Sequence, residues 1–206
     1  MSQPPGQNKW ICLDEKKLLE SPVMEIIQRD CKSSEDDRVH RFYLLKSRDW
    51  CNIIPITEDG KVVMVRQYRI GISEHTLEVP GGVSDPEDHD LQAAAIRELT
   101  EETGYVPMPG ARCVPIGWSH PNPAMINNRV HSFVIGPVRR DQTQNLDDGE
   151  MIDVVEVPLE EIADRILRGE ITHALMLNTF FFLLLKDPKA SALVAGCLRD
   201  FTTLQK

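Results

Sequence analysis

The sequence predicts an α+β domain, because segments with the pattern of strands come both before and after one central helix. The chain has 206 residues, enough for one domain with a sizeable core, and it contains no internal repeat. No stretch has the composition of a linker long enough to divide it. Residues 1–8 are polar and rich in proline and glycine, so we expect a disordered tail there.

Apolar and β-branched runs predict the strands that precede the central helix. They lie at 10–17, 23–30, 39–46, 50–57, 61–68 and 75–79. Ser21–Pro22 is typical of a turn, and Glu58–Asp59–Gly60 is a hairpin signal. We therefore expect N-terminal strands at 9–57 and the start of the domain core at residue 58.

The central helix is predicted at about 90–103, with Asp88 as its N-cap and Gly104 as its C-terminal glycine. Further strands are predicted after it, at 113–118, 130–138 and 152–157. Helices at 159–168, ended by Gly169, and at 173–186 complete the core. The pattern of 190–204 fits a third helix, so residues 187–206 are predicted as a C-terminal helical extension.

Composition narrows the classes of partner. The formal net charge of −9 and the pI of about 5.2 argue against nucleic acid or an anionic membrane surface as the main partner. The five cysteines are scattered without a CxxC pair, which argues against a zinc site or a disulfide framework. The N-terminus lacks the apolar run of a secretory signal, and Phe180–Leu185 is too short to span a bilayer. We therefore expect a cytoplasmic protein.

Three carboxylates cluster near the end of the predicted central helix. At 100° per residue, Glu98, Glu101 and Glu102 fall within an arc of about 80–100°, with Ala94 on the same side. Clustered glutamates repel one another, and a hard cation such as Mg²⁺ or Mn²⁺ relieves that repulsion. The alternative is a solvated acidic helix end, which three glutamates alone do not exclude.

The surrounding residues resemble a known family motif. Gly82 and the run Arg97–Tyr105 are similar to the Nudix box, Gly-x5-Glu-x7-Arg-Glu-U-x-Glu-Glu-x-Gly-U, where U is a bulky apolar residue. The helical half matches at every fixed position when Tyr105 is taken as the last U. The loop half is one residue longer, and the expected glutamate falls at His89. We infer a one-residue insertion, with Asp88 or Glu87 standing in.

This resemblance implies a fold and a chemistry. The fold is an α/β/α sandwich around a mixed β-sheet, here with an N-terminal strand region before the core at 58–186. The reaction is hydrolysis of a nucleoside diphosphate linked to another group, with Mg²⁺ as the cofactor and Mn²⁺ as the alternative. Glu98 and Glu102 would be the principal metal ligands, assisted by Glu101 and by the carbonyl of Gly81. Arg97 would brace a glutamate of the box, with Gly82 and Gly104 in structural roles.

Residues outside the box are similar to a subgroup of this family. Arg66–Arg69 and Leu77–Gly82 resemble the RQYR…LE-x-PAG run of ADP-ribose and nucleoside diphosphate sugar pyrophosphatases. Arg69 would then hold a phosphate, Arg66 would also bind the substrate, and Glu78 would sit beside the site. Pro121, sixteen residues after Tyr105, marks the same subgroup. The alternatives are solvated arginines at a strand end and an ordinary proline turn.

Other candidates come from the same resemblance. An acidic residue in the loop before the last strand would orient or deprotonate the water, and Glu150 is the first choice and Asp148 the second. A solvated acidic loop is the alternative. Trp10 and Trp50 would stack on the nucleobase, and ordinary packing is the alternative. The related sugar pyrophosphatases are homodimers in which N-terminal strands cross over and complete the partner's site. Three histidines, His120, His131 and His173, are expected to be structural or exposed and not metal ligands, because Mg²⁺ prefers oxygen.

The sequence therefore predicts Mg²⁺-dependent hydrolysis of ADP-ribose or a related nucleoside diphosphate sugar to a nucleoside monophosphate and a sugar phosphate. The expected partners are that substrate and a second copy of the chain, without nucleic acid or membrane. One alternative is another substrate, such as GDP-mannose, ADP-glucose or a nucleoside triphosphate. The other is a non-catalytic domain that senses a nucleotide.

Overall fold

The computed structural model describes residues 10–35 and 37–189. The predicted tail at 1–8 and the predicted third helix at 190–204, with most of the extension at 187–206, lie outside the described residues. The described residues form two compact units, one within 1–48 and 120–129 and the other within 49–119 and 130–206. In the described part of the chain, no helix is long and apolar enough to cross a membrane.

The first unit contains a three-stranded antiparallel sheet in the order β1-β2-β3. Its strands are β1 (Trp10–Glu20), β2 (Glu25–Ser33) and β3 (Val39–Lys46). Every residue of β1 is exposed, whereas β2 buries Ile27 and Cys31. The segment 120–129 joins this sheet, since the Leu45 N–H donates to the Met125 carbonyl at 2.7 Å.

The second unit contains a seven-stranded mixed sheet. Its strands are β4 (Trp50–Thr57), β5 (Lys61–Arg69), β6 (Glu74–Glu78), β7 (Gly81–Val83), β8 (Tyr105–Ser119), β9 (Val130–Arg140) and β10 (Ile152–Pro158). The main order is β10-β5-β4-β9-β8, with β6 paired to β5 and β7 paired to β4. β4 and β9 are parallel, and the other pairs are antiparallel.

Helices cover both faces of this sheet. They are α1 (Leu91–Thr103), α2 (Ile162–Leu167) after a 3-10 turn at Leu159–Glu161, and α3 (Ala174–Lys186). Successive strand side chains point to opposite faces. Ile53 accordingly packs in a cluster with Leu99 of α1, whereas Ile54 packs in another with Met176 of α3. The predicted α+β class and the predicted sandwich around a mixed sheet are confirmed.

Two predicted elements differ from the structure. The strand predicted at 113–118 is the last part of β8, which begins at Tyr105. Its first half was not predicted because it contains Pro107, Pro109 and Gly110, residue types that are uncommon inside strands. The pairing register shifts between Pro107 and Arg112. The helix predicted at 159–168 is the 3-10 turn followed by the shorter α2.

The ends of α1 differ in how well they were predicted. Asp88 is not the N-cap; Asp90 is, because its Oδ1 accepts the Ala93 N–H at 2.8 Å. Gly104 does end the helix, with a φ of 73° that favours glycine, and its N–H donates to the Thr100 carbonyl at 2.8 Å.

Candidate active site

Two carboxylates of α1 face the loop between β6 and α1. The Gly81 N–H donates to Oε2 of Glu102 at 3.0 Å, and Glu102 is only 4% exposed. Gly82 lies so close to Glu98 that a Cβ at this position would collide with the Glu98 carboxylate. A larger residue at position 82 would therefore displace the Glu98 carboxylate, and the two ends of the motif meet in space.

Arg97 joins this loop to the helix. It donates to Glu101 at 2.8 Å, contacts Glu98 at 3.0 Å, and donates through Nε to Asp88 at 3.2 Å. The Asp88 side chain is 9% exposed, whereas Glu87 lies on the surface. Of the two residues considered for the missing glutamate, Asp88 is the one that reaches Arg97. This contact also explains why Asp88 does not cap α1.

Burial and mutual repulsion disfavour the ionised forms of these glutamates. Burial raises the pKa of Glu98 to about 7; Arg97 opposes the rise, and repulsion from Glu101 and Glu150 adds to it. Burial, followed by repulsion from Glu98, raises the pKa of Glu102 well above its ordinary value. Arg97 therefore does not fully compensate the negative charge of the cluster.

The donor set fits a hard divalent cation, although the side chains are not gathered around one point. Among residues 10–35 and 37–189, no group of three or more His, Cys, Asp or Glu side chains has a metal-ligand arrangement. Glu98 lies against Arg97, and Glu102 against the Gly81 N–H. Their oxygen atoms are the ligands that Mg²⁺ prefers, and their raised pKa values show that an additional positive charge would stabilise them.

A second charged group surrounds Glu78, which is 1% exposed. Arg69 donates from Nε and Nη2 to the two carboxylate oxygens at 2.7 Å each. Thr76 donates at 2.6 Å, and Nδ1 of His173 lies 3.0 Å away, so it carries the proton. Burial alone would raise the pKa of Glu78, but the hydrogen bonds from Arg69, His173 and Thr76 lower it to about 2.

Arg69 retains donors for a ligand. A guanidinium carries five N–H groups, and two of them are bonded to Glu78. Attraction by Glu102 of α1 and by Glu150 helps to raise the pKa of Arg69, so Arg69 is close enough to both carboxylates to interact with their charge. Arg66, three residues earlier on β5, is exposed on the surface.

A cavity of about 710 Å³ adjoins Arg69. Its wall includes Trp50, Tyr68, Thr76 and His173. Its volume is typical of small-molecule sites. His173 was expected to be structural or exposed and not a metal ligand; its ring lines the cavity and holds Glu78. No sequence signal pointed to it, because His173 and Glu78 are 95 residues apart in the chain.

The loop at 141–151 runs beside α1. Its Asn145 N–H donates to the Glu101 carbonyl at 2.8 Å, and Gln144 donates to the Glu102 carbonyl at 2.7 Å. Both acidic candidates in this loop, Glu150 and Asp148, are exposed. Repulsion from Glu150 contributes to the raised pKa of Glu98 and of Glu102, so its charge reaches the cluster.

The two remaining candidates belong to the first unit. Trp10 lies on β1, where its ring makes edge contacts with His40 and Phe42 at centroid distances of 5.1 and 5.2 Å. Pro121 lies in the segment 120–129. The α1 carboxylates and the cavity belong to the second unit.

Comparisons with known proteins agree with this geometry. A family model described as NUDIX domain matches residues 47–180. A methanol dehydrogenase activator of Bacillus methanolicus is 32% identical over 113 residues, 53% of this chain and 57% of that protein. An ADP-ribose pyrophosphatase of Bacillus subtilis is 27% identical over 136 residues, 66% and 71% of the two chains. An ADP-sugar pyrophosphatase of Mus musculus is 30% identical over 129 residues, 59% and 58% of the two chains.

A solved structure described as an ADP compounds hydrolase superposes with a TM-score of 0.76. The superposition covers 89% of this chain and 97% of the other chain. Because the two sequences are only 19% identical, this match supports the fold alone. The matches to the activator and to the ADP-sugar pyrophosphatase span little more than half of each relative's length. The predicted resemblance to the family and to its ADP-ribose and ADP-sugar subgroup is confirmed.

Proposed function

Because the chain belongs to the Nudix family, we propose that it hydrolyses the pyrophosphate bond of ADP-ribose or a related nucleoside diphosphate sugar. The products are a nucleoside monophosphate and a sugar phosphate, which for ADP-ribose are AMP and ribose 5-phosphate. One observation carries the proposal: the buried carboxylate of Glu102 lies against the Gly81 N–H, and the half-buried carboxylate of Glu98 lies against Gly82, both at the motif loop. The relatives named ADP-ribose and ADP-sugar pyrophosphatase support the substrate class.

The α1 carboxylates would hold Mg²⁺, or Mn²⁺ in its place. Glu98 and Glu102 are the principal ligands in this proposal, and Glu101 and the Gly81 carbonyl assist. A bound divalent cation supplies positive charge to the phosphates and lowers the pKa of a coordinated water. Arg97 keeps Glu98 and Glu101 on the side of α1 that faces the loop.

Other side chains would bind and orient the substrate. The free N–H groups of Arg69 donate to a phosphate oxygen, while Glu78 and His173 hold the guanidinium in place. Trp50 offers an aromatic surface in the cavity wall for the nucleobase. Glu150, with Asp148 as the second choice, would be the base that accepts a proton from the attacking water, since the charge of Glu150 acts on both Glu98 and Glu102.

The test is hydrolysis by the purified full chain in the presence of Mg²⁺ or Mn²⁺, with product identification by anion-exchange chromatography. The panel contains ADP-ribose, ADP-glucose, GDP-mannose and a nucleoside triphosphate. Glu102→Gln should lower kcat about 100-fold or more, because it replaces a proposed anionic ligand of the divalent cation by a neutral amide. Glu160→Gln, at an exposed position, is the matched control. Full activity in Glu102→Gln, or ligand binding without turnover of any substrate, would contradict the proposal.

We also propose that the chain forms a homodimer through the sheet of the first unit. β1 is an edge strand whose exposed side chains include Trp10, Ile11 and Leu13. An exposed apolar edge strand pairs readily with another chain. Light scattering after size exclusion should give twice the 23.4 kDa chain mass. Ile11→Lys should shift the protein toward monomer, and a monomeric wild type would contradict the proposal.

A further inference from the structure

A buried polar chain runs behind the cavity wall of the second unit. The Trp50 indole N–H donates to Oδ1 of Asn52 at 2.8 Å, and Nδ2 of Asn52 donates to the Thr179 hydroxyl at 3.2 Å. Asn52 and Thr179 are both completely buried. These hydrogen bonds therefore connect the cavity residue Trp50 on β4 to the middle of α3.

The direction of each hydrogen bond between Trp50, Asn52 and Thr179 is fixed. Thr179 has one hydroxyl proton, which it donates to the Leu175 carbonyl at 2.8 Å. Ser132, 2.9 Å away, must then be the donor to Thr179. Asn52 likewise faces Thr179 with its NH₂ group and Trp50 with its carbonyl oxygen. A flipped Asn52 amide would point its NH₂ group at the indole N–H, and two donors would then face each other. Only one orientation of the amide therefore allows both hydrogen bonds.

Asn52 also lies against the motif loop. It is the cross-strand partner of Gly81, and a Cβ at Gly81 would fall 2.7 Å from Asn52 Oδ1. The same amide oxygen thus contacts the loop that carries a proposed metal ligand and the indole in the cavity wall. The neighbouring strand residues, Ile53 and Ile54, are completely buried and apolar. The buried amide of Asn52 therefore depends on its hydrogen bonds to Trp50 and Thr179 to offset the cost of desolvation.

We propose that Asn52 is a positioning residue that fixes the Trp50 ring in the cavity wall and thereby sets the affinity for the base of the substrate. This inference rests on the proposed function and deepens it. Since the Trp50 N–H is bonded to Asn52, Trp50 offers the base only its ring surface. Stacking tolerates any base, so Trp50 contributes affinity without distinguishing adenine from guanine.

The first test is spectroscopic and needs no substrate. In ¹⁵N NMR spectra of the full chain, Trp50→Phe identifies the Trp50 indole resonance by its loss. Asn52→Leu, which is close in shape and lacks the acceptor, should speed exchange of that indole hydrogen about 10-fold, the value of one ordinary hydrogen bond. Ser132→Ala, which cannot reach Trp50, should leave it unchanged. An unchanged exchange rate of the Trp50 indole hydrogen in Asn52→Leu would overturn the proposal.

The second test is kinetic. Asn52→Leu should raise the KM for ADP-ribose about 10-fold with little change in kcat, and Trp50→Phe should raise it too. In the double variant, the effect of Asn52→Leu on KM should disappear, because Asn52 acts through the indole N–H. Additive effects, or a lower kcat at unchanged KM, would overturn the proposal. The same result is expected with a GDP-sugar if both nucleotides are substrates.

The two tests keep the failures apart. If the wild-type chain hydrolyses no member of the panel, the proposed function fails, and the NMR result still decides whether Asn52 holds Trp50. If circular dichroism shows that Asn52→Leu does not fold, Asn52→Ser replaces it. Asn52→Ser also removes the acceptor within reach of the indole, and the same outcomes apply.

Discussion

The bidentate pair between Arg69 and Glu78 allows a test of the charge network beside the cavity. Replacing Arg69 by methionine keeps most of the side-chain volume and removes both hydrogen bonds to Glu78. It leaves a carboxylate that is 1% exposed, with Thr76 and His173 as its remaining partners. Leaving a buried charge without its main partner is strongly destabilising.

The size of the effect follows from the pKa of Glu78. The network lowers that pKa from 4.5 to about 2, and each unit corresponds to about 1.4 kcal/mol, so the whole network stabilises the folded state by about 3 kcal/mol. Because the folded pKa lies below the unfolded one, this stabilisation is present above pH 4.5 and is lost as the pH falls from 4.5 toward 2. Arg69 makes two of the network's hydrogen bonds. Arg69→Met should therefore cost about 2 kcal/mol or more at pH 7.5.

The cost of Arg69→Met should also depend on pH. Without Arg69, burial should move the pKa of Glu78 upward, so the carboxylate takes up a proton in mildly acidic solution and the buried charge disappears. Urea unfolding at 25 °C, followed by tryptophan fluorescence, should give a larger loss of unfolding free energy at pH 7.5 than at pH 4.5.

A matched control for this prediction is Arg168→Met. Arg168 pairs with Glu170 at 3.3 Å, but its side chain is 61% exposed, so the change should cost less than about 0.5 kcal/mol at either pH. A cost of Arg69→Met below about 1 kcal/mol, or one that does not vary between the two pH values, would refute the reasoning about Glu78.

Two further predictions concern α1. Gly82→Ala places a methyl group against the Glu98 carboxylate; kcat for ADP-ribose should fall at least about 10-fold, because small displacements at a reacting centre are costly. Full activity in this variant would show that the loop and the helix do not meet as described. Leu99→Ala empties a completely buried position in the cluster that contains Ile53; urea unfolding should show a loss of about 2–5 kcal/mol. A loss below about 1 kcal/mol would mean that this face of α1 is not packed on the sheet.

The parts of the site that could be predicted from the sequence are those fixed by local geometry. The helical repeat places Glu98, Glu101 and Glu102 on one side of α1 whatever the rest of the chain does. Glycine at position 104 similarly allows the helix to end with a positive φ. These features depend on neighbours within a few residues, so the pattern of residues alone was sufficient.

The loop before α1 could be predicted only in part, because several aspartates compete there for the same partners. Asp88 and Asp90 are both reasonable N-caps by residue type. The choice depends on Arg97, which lies two turns into the helix and attracts Asp88. Asp90 is then left to bond the Ala93 N–H. Side-chain competition of this kind is decided by the folded loop and cannot be read from spacing.

The contacts around the cavity could not be predicted from the sequence, for a different reason. Glu78 and His173 are 95 residues apart, and Asn52 and Thr179 are 127 apart. They meet because β4 pairs in parallel with β9 and because α3 returns across the face of the sheet that carries Ile54. No periodicity or motif encodes a pairing at that separation, so the sequence indicated residue types at these positions without their roles.

The charges of the second unit explain why the proposed anionic substrate would need a cation to bind to this acidic chain. Arg97 is bonded to Asp88 and Glu101, and Arg69 to Glu78. Each arginine is therefore already paired with at least one carboxylate, while burial still raises the pKa of Glu98 to about 7. A pyrophosphate brought to this place would add negative charge to a cluster that already resists ionisation. The proposed hydrolysis would consequently require a cation from solution, and the remaining N–H groups of Arg69 would orient the phosphate.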